Sequence, residues 1–342
     1  MALEPLKRIW KNDYFQMALM VVLMAVIVFG LWYGSQLVMH TEYPALAVAS
    51  TSMLPTLNVG DVIIIQGVSA DQIKPDYLTG DIVVFRYPLP NDPNFRVVHR
   101  VVKVEPKPDG SGYLITTHGD NVVGDKDQFS PWDSNALIGK VIARIPYLGN
   151  FSLFVNKLGN FYIFIVLIVI FVGILFSLFS DEEEKESTEK EQREKKKLFG
   201  KLDIGMIFSI ILDALLIGFL IFSLFGSFTF WQIGADPPQD VTMMGMYADL
   251  QYHLGFTVAH NYIYNASLSQ GFLTYAINCF VTDGIHQGIR PGVPTFSWMQ
   301  MSLLIFLLFN LWIAVKYFHI DKKLGIMLKP KTEHKESSEN NL

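Results

Sequence analysis

Residues 49–57 read ASTSMLPTL and follow, after a short segment, an apolar run from Met17 to Val38. A membrane-spanning helix needs ~20 apolar residues to cross the ~30 Å hydrocarbon core of a bilayer, and this run is long enough. Ser52, a potential nucleophile, is therefore expected just outside a membrane surface. The simpler interpretation is a Ser/Thr/Pro turn that leaves a membrane helix, so the rest of the sequence must decide between the two.

The composition fits a membrane protein that also has a sizeable polar part. The chain has 342 residues, of which 51% are hydrophobic, and its formal net charge is -5. Cys279 is the single cysteine. No intramolecular disulfide can therefore form, and the fold must depend on packing and on membrane insertion.

Four stretches have the length and apolar character of membrane-spanning helices. The first continues through Leu31-Trp32-Tyr33, whereas the apolar core of a cleaved leader is only ~7–15 residues and ends in a small-residue cleavage site. We therefore interpret it as a retained anchor. The predicted spans are Met17–Val38, Phe161–Phe179, Ile204–Trp231 and Met299–Tyr317.

Basic residues predict the orientation of these spans, because cytoplasmic loops are enriched in Lys and Arg. The two chain ends and the loop between the second and third spans are rich in both, whereas the last outer segment has only Arg290. We expect a multi-pass protein of the cell (plasma) membrane. Its predicted cytoplasmic parts are residues 1–16, 180–203 and 318–342, and its predicted extracytoplasmic parts are residues 39–160 and 232–298.

The first extracytoplasmic part has the pattern of an all-β domain. Short runs rich in β-branched residues alternate with clusters of Gly, Pro, Asp and Asn, and no helical period is present. The runs are almost continuously apolar, which indicates strands covered on both faces, partly by the membrane. The predicted strands are Val62–Ile65, Ile82–Phe85, Val97–Val104, Tyr113–Thr117 and Leu137–Ile145.

The other polar segments give weaker signals. The charged loop 180–203 has no apolar face, which is typical of a solvated linker, and the C-terminal tail is expected to be disordered. Segment 232–298 contains His253, His260 and His286, but their spacing is not that of a metal-ligand set. We expect structural or surface histidines there, no metal and no cofactor, and we assign this segment no role.

Three motifs follow the serine stretch in order. Gly80-Asp81 opens an apolar strand, residues 96–102 form a basic strand that contains His99, and Gly119-Asp120-Asn121 forms a turn. A serine nucleophile needs a base within hydrogen-bond reach, usually oriented by a third group. Histidine suits this role because it titrates near neutral pH.

His99 has two competitors as the base. His118 adjoins the Gly-Asp-Asn turn and is the runner-up, while Lys103 lies on the strand of His99 but further from the motif.

Taken together, these motifs resemble those of type I signal peptidases over roughly Leu37 to Gly149, less than half of the chain. In bacterial members a lysine precedes the arginine of the basic strand and is the general base, whereas His99 holds that position here. The chain is therefore similar to the archaeal and endoplasmic-reticulum type. The resemblance implies a membrane-anchored all-β catalytic domain and a serine endopeptidase that removes signal peptides from exported proteins. The hydropathy pattern adds about four transmembrane helices, of which the third and fourth lie outside the resemblance.

The resemblance also implies roles for individual residues. Ser52 is the expected nucleophile and His99 the general base, while Asp120 supports the site. A later aspartate orients the histidine, for which the chain offers Asp127, which we favour, and Asp125. The box departs from the usual Gly-Asp-Asn-Asn form, because Val122 replaces its last residue.

Two further features complete the expected site. The oxyanion donors are the backbone N–H of Ser52 and the hydroxyl of Ser50, by analogy with bacterial relatives. The family prefers small residues at the first and third positions before the cut, which shallow apolar pockets would select. The candidate walls are Val48, Ala49, Ile82 and Val84.

The expected partners are signal-peptide-bearing preproteins, the lipid bilayer and, as a further candidate, the protein-export channel; no nucleic acid is expected. The main alternative is a catalytically inert membrane scaffold that binds exported chains or other partners. A weaker alternative is a self-cleaving or regulatory serine protease of related fold. The joint presence of Ser52 and His99 in the matching motifs favours the peptidase.

Overall fold

The structure is a computed structural model, and it describes residues 13–90, 92–124, 126–157, 197–199, 202–232, 239–258, 261–282 and 285–318. The second predicted span, most of the charged loop and the C-terminal tail lie outside these residues. Asp125 and His260 lie outside them as well.

Three of the described helices are long and apolar enough to cross a membrane, over Ala18–Met39, Met206–Phe225 and Trp298–Lys316. They match the first, third and fourth predicted spans. The helices are α1 (Asp13–Met39), α2 (Gly149–Lys157), α3 (Ile204–Phe225), α4 (Met246–Leu254) and α5 (Trp298–Phe318).

The prediction of one continuous span from Ile204 to Trp231 is wrong at its C-terminal end. The helix ends at Phe225, and the chain turns at Gly226, whose N–H bonds to the Phe222 carbonyl at 2.7 Å. The aromatic run after it is apolar enough to extend a span, but it forms one strand of a hairpin. Hydropathy alone does not separate these two outcomes, because both need apolar side chains.

The strands form one large sheet and two small hairpins. The five strands predicted in the first extracytoplasmic part correspond to β2, β3, β4, β5 and β7. The first group is β1 (Ala45–Ala47), β2 (Val62–Gln66), β3 (Ile82–Arg86), β4 (Arg96–Pro106), β5 (Tyr113–His118), β6 (Trp132–Asp133) and β7 (Leu137–Ile145). A short hairpin follows, made of β8 (Lys197–Phe199) and β9 (Leu202–Asp203).

Strand β3 is covered on both faces, as its apolar sequence predicts. Ile82 and Val84 lie in one apolar cluster, while Val83 and Phe85 lie in another on the opposite face. All four side chains are at most 5% exposed. Successive side chains of a strand point to opposite faces, so each cluster takes alternate residues. Protein side chains therefore pack against both faces of β3, and no contact with the bilayer is needed to bury this strand.

Segment 232–298, to which we assign no role from the sequence, forms regular secondary structure over much of its described part. With the few residues before it, this segment contains helix α4 and seven described strands, of which β10 and β11 form a hairpin. The strands are β10 (Ser227–Gln232), β11 (Gln239–Met244), β12 (Thr257–Val258), β13 (Asn261–Gln270), β14 (Thr274–Thr282), β15 (Gln287–Arg290) and β16 (Thr295–Phe296). We call residues 227–297 the second outer segment.

The second outer segment extends the sheet of the first. Strand β16 pairs in parallel with β7, with Thr295 opposite Arg144. At the start of α5 the indole N–H of Trp298 donates to the Pro146 carbonyl at 3.1 Å. Between two of the candidate membrane helices, Asn310 of α5 donates to Asp213 of α3 at 2.7 Å. The large sheet and these two helices are therefore connected.

Candidate active site

Ser52 lies in a tight turn between β1 and β2. The N–H of Leu57 bonds to the Met53 carbonyl at 2.9 Å, and both of these side chains are fully buried. This anchoring leaves Ser52 half-buried at the surface of the turn. Its hydroxyl oxygen lies 3.3 Å from the hydroxyl oxygen of Ser50. The two serines predicted as nucleophile and oxyanion donor are therefore neighbours.

His99 lies on β4 opposite Val83 of β3, and its side chain is buried. Its Nδ1 is hydrogen-bonded to Oδ2 of Asp127. The same carboxylate accepts a hydrogen bond from the Thr117 hydroxyl at 2.8 Å and one from the Phe129 N–H at 2.9 Å. Asp127 is thus fixed on several sides, and its position fixes the imidazole.

The charge on Asp127 determines which ring nitrogen of His99 carries the proton. Burial raises the pKa of this carboxyl, but the hydrogen bond and charge of His99, with the hydroxyls of Thr117 and Ser130, outweigh burial and hold the pKa below its ordinary value. An ionised Asp127 accepts a hydrogen bond from the Nδ1–H of His99, so that the proton of the neutral ring stays on Nδ1. In the neutral ring Nε2 is then left without a proton and can act as a base.

Gly119 separates Nε2 of His99 from the turn that carries Ser52. A Cβ atom at this position would lie 2.8 Å from the Ser52 carbonyl oxygen and 3.0 Å from Nε2 of His99. Only glycine permits this close approach. Asn121 holds the turn of Gly119 against the turn of Ser52. Its backbone N–H donates to the Ser52 carbonyl and its side-chain amide donates to the Thr51 carbonyl, both at 2.8 Å.

The side chains of Ser52 and His99 lie on the same cleft without a hydrogen bond between them in the described part of the chain. Such bonds are often long before substrate binds and tighten in the Michaelis complex.

The cleft has a volume of about 960 Å³. Its apolar lining includes Val48, Ala49 and Val84. The prediction of Ile82 as a wall is wrong, because Ile82 points into the core beneath the cleft and is 5% exposed.

Asp120 is turned away from the cleft. Its two carboxylate oxygens each accept a hydrogen bond at 2.8 Å from the guanidinium of Arg100, and one also accepts from the Thr56 hydroxyl. Burial would raise the pKa of this carboxyl, but Arg100 and Arg290 outweigh it and hold the pKa well below its ordinary value. Asp120 therefore anchors the Gly119-Asp120-Asn121 turn from below.

Among the described residues, neither competing base candidate is hydrogen-bonded to the side chain of Ser52. His118 is 1% exposed and lies against the ring of Tyr77 with centroids 5.0 Å apart. Burial holds the pKa of His118 below its ordinary value. Lys103 follows a bulge in β4 and forms an exposed ion pair with Glu105 at 2.8 Å. Asp125, the other candidate for orienting the histidine, lies outside the described residues.

Two of the three histidines of segment 232–298, His253 and His286, lie among the described residues and have contacts within the protein. His253 is bonded to the backbone of Asp249 at 2.8 Å, and His286 stacks on Tyr77 with ring centroids 3.9 Å apart. Over the described ranges, no group of three or more His, Cys, Asp or Glu side chains could hold a metal ion.

Sequence reasoning missed three residues that shape the site. Thr117 holds Asp127, Arg100 holds Asp120, and Arg290 approaches Asp120 from the second outer segment. Arg100 and Asp120 belong to motifs already recognised, so a buried pair between them could have been inferred. Nothing in the sequence connects Arg290 to a motif so far away along the chain.

Comparison with known proteins gives a consistent result. A family model described as signal peptidase, peptidase S26, matches residues 14–107. The signal peptidase complex catalytic subunit SEC11 of Colletotrichum graminicola is 30% identical over 134 residues, which cover 38% of this chain and 73% of the relative. The sec11 subunit of Dictyostelium discoideum is 27% identical over 172 residues, or 49% and 91% of the two chains. Human SEC11C is 26% identical over 160 residues, or 46% and 80%.

Proposed function

The chain belongs to the signal peptidase family, peptidase S26, and removes signal peptides, and from this premise we propose that Ser52 is the nucleophile and His99 the general base. Asp127 is the positioning residue that orients His99. Signal peptide removal is an enzymatic activity, so the hypothesis of an inert scaffold is not retained.

One observation carries this assignment. Nδ1 of His99 is bonded to the buried Asp127, while Nε2 lies beside Gly119. A Cβ atom on Gly119 would be 3.0 Å from Nε2 and 2.8 Å from the Ser52 carbonyl oxygen. Ser52 attacks the scissile carbonyl, and Nε2 of His99 takes the proton from its hydroxyl. The protonated ring then gives this proton to the leaving amine. A water molecule, activated by the same nitrogen, releases the cleaved leader from Ser52.

The oxyanion that forms in each step needs donors already in place. The Ser50 hydroxyl, 3.3 Å from Ser52 Oγ, is positioned for this role. The backbone N–H of Ser52 is the second donor in the proposal.

Small side chains next to the cut would be selected by the apolar walls of the cleft. Val48 and Val84 are both buried at its base. Because their side chains are bulky and fixed, they leave shallow pockets in which a large substrate side chain would clash.

The positive-inside pattern supports a multi-pass protein of the plasma membrane with the catalytic domain on the extracytoplasmic face. Helices α3 and α5 fit this arrangement, because the second outer segment that joins them also joins the peptidase sheet. The bilayer is then a partner of the enzyme, and the protein-export channel is a further partner that would deliver the preprotein.

The assignment is tested with purified full-length protein in lipid vesicles and a preprotein that carries its leader. Ser52→Ala and His99→Ala should each reduce cleavage to background. The double variant should be little worse than either single one, since residues of one catalytic unit act together. Thr51→Ala, which changes an exposed neighbouring hydroxyl, should retain activity and serves as the control. Normal cleavage by a folded Ser52→Ala or His99→Ala protein would refute the proposal.

A further inference from the structure

Arg290 is a buried arginine whose counter-ion belongs to the active-site domain. It lies at the end of β15 and is 5% exposed, and its Nη1 is 3.7 Å from Oδ1 of Asp120. Its Nε and Nη2 have no hydrogen-bond partner among the described residues. A buried charge is costly unless it is paired. The position of Arg290 is therefore explained by Asp120.

A second ion cluster joins the same two parts of the chain. Arg144 of β7 donates to Asp61 at 2.9 Å and to Asp249 of α4 at 2.5 Å, and all three side chains are buried. Its Nε also donates to the Thr295 hydroxyl at 2.7 Å. Together with the contact between strands β16 and β7, this cluster fixes the second outer segment against the peptidase domain.

The two clusters are complementary in charge. Asp120 lies between two arginines, Arg100 and Arg290, whereas Arg144 lies between two aspartates, Asp61 and Asp249. Each cluster takes one member from the second outer segment. The interface therefore has balanced buried charges and resembles the inside of one domain more than a contact between independent parts.

We propose that Arg290 is a positioning residue of the peptidase reaction, which holds Asp120 and thereby the Gly119-Asp120-Asn121 turn against Ser52 and His99. The second outer segment is then part of the catalytic unit. This inference rests on the proposed roles of Ser52 and His99. It concerns a residue far beyond residues 14–107, which the family model matches.

The effect passes through short contacts. Asp120 is followed directly by Asn121, whose N–H donates to the Ser52 carbonyl at 2.8 Å. It is preceded by Gly119, where an added Cβ would lie 2.8 Å from the Ser52 carbonyl oxygen and 3.0 Å from Nε2 of His99. A displacement of ~1 Å at a catalytic group can lower the rate by ~10²-fold. Loss of the Arg290 charge should therefore reduce turnover by about 10- to 100-fold. The apolar walls of the cleft are unaffected, so KM should change by less than about three-fold.

The test compares Arg290→Gln with Arg290→Lys in the full-length protein in lipid vesicles. Glutamine removes the charge, whereas lysine keeps it, so lysine should restore most of the turnover lost with glutamine. A role in packing alone would give no such rescue. Arg86→Gln is the control, because Arg86 is an exposed arginine of the peptidase domain whose side chain is 47% exposed.

A double-mutant cycle shows whether Arg290 acts through Asp120. In an Asp120→Asn background, Arg290→Gln should lower turnover by less than about two-fold further, because coupled residues are not additive. If Asp120→Asn does not fold, the comparison of Gln with Lys decides. Normal turnover of Arg290→Gln, equal losses with Gln and Lys, or full additivity in the cycle would overturn the inference. Ser52→Ala is assayed in parallel to separate the two failures. If Ser52→Ala is inactive while Arg290→Gln has normal turnover, only the inference fails, whereas cleavage by Ser52→Ala would refute the proposed function on which the inference rests.

Discussion

Asp127 contacts Nδ1 of His99 in a position where both side chains are buried, 4% and 2% exposed, respectively. Its carboxylate is held independently by the hydroxyl of Thr117 and the backbone N–H of Phe129. The orientation of the histidine is thus set by a carboxylate that cannot rotate freely. This geometry makes the role of Asp127 open to a direct test.

Asp127→Asn should lower turnover by ~10⁴-fold, as the equivalent change does in other serine-protease triads. The amide carries no charge to stabilise the imidazolium, and it can donate to Nδ1 and so favour the wrong tautomer. Asp125→Asn is the matched change at the other candidate and should have a much smaller effect. Turnover is measured with a preprotein at saturating concentration. A loss of only a few-fold in both variants would indicate a Ser–His dyad.

His99→Lys should not produce an enzyme of the bacterial type. A lysine base must be neutral, which requires its pKa to fall well below ~10.4. The carboxylate of Asp127 would lie beside the new ammonium group and favour its charged form. We expect background cleavage at neutral pH. Cleavage by His99→Lys is compared with cleavage by the double variant His99→Lys with Asp127→Asn, which lacks this carboxylate charge. Substantial cleavage by His99→Lys alone at pH ~7 would contradict this reasoning.

The sequence predicted the peptidase part of the fold well, because its strands are short, rich in β-branched residues and separated by clear turn residues. The motif order also led to His99 and Asp127, which the structure brings together. Ile82 was misplaced because an almost continuously apolar strand does not reveal which alternate residues face a cleft and which face the core.

One strand of the second outer segment is predictable from the sequence. In β14 Tyr275, Ile277, Cys279 and Val281 are buried and alternate with less buried residues. In the sequence, the aromatic and β-branched residues of Thr274–Thr282 predict a strand. Its attachment to the first sheet through Thr295 and Arg144 could not be inferred, because partners so far apart in the chain leave no local pattern.

Asp249, in the cluster around Arg144, makes a contribution to stability that falls in acid. Burial raises the pKa of the neighbouring Asp61, whose contribution has the opposite sign. Burial of Asp249 opposes its ionisation, but Arg144 and His253 outweigh burial and lower the pKa of this carboxyl to about 2 from 3.8. A carboxyl with a depressed folded-state pKa contributes stability above its unfolded value and loses it as pH falls. The contribution, roughly 2 kcal/mol, should therefore be lost as pH falls from ~4 towards ~2.

The measurement is denaturant unfolding of the full chain in detergent at several pH values between 2 and 6. Asp249→Asn should be less stable near neutral pH, since it leaves buried Arg144 with one carboxylate partner fewer. It should also lose less stability on acidification than the wild type. Asp71→Asn, which alters an exposed carboxylate, is the control. Identical acid dependence of Asp249→Asn and wild type would contradict the assignment.

The position of Ser52 near the end of α1 predicts that cleavage depends on a membrane-bound substrate. The end of this helix is fastened to the sheet, because the Met39 carbonyl accepts a hydrogen bond from the Gly67 N–H at 2.7 Å, and the Thr41 hydroxyl donates to the Ile138 carbonyl at 3.1 Å. The segment from Met39 to Ser52 is short, and an extended chain spans at most ~3.3–3.6 Å per residue. We therefore expect Ser52 to lie near the membrane surface.

A leader held in the bilayer by its own apolar segment meets this nucleophile at a raised local concentration. We expect kcat/KM for a preprotein with its apolar segment to exceed that for a soluble peptide with the same cleavage residues by ~10²-fold or more in lipid vesicles. In detergent without a bilayer the advantage should shrink, which makes detergent the control. Equal kcat/KM values for the two substrates would show that confinement at the surface does not govern cleavage.

Sealed vesicles of known orientation test the topology, since residues 60–149 should be open to an added protease only from the extracytoplasmic side. Protection of residues 60–149 on that side would overturn the proposed topology.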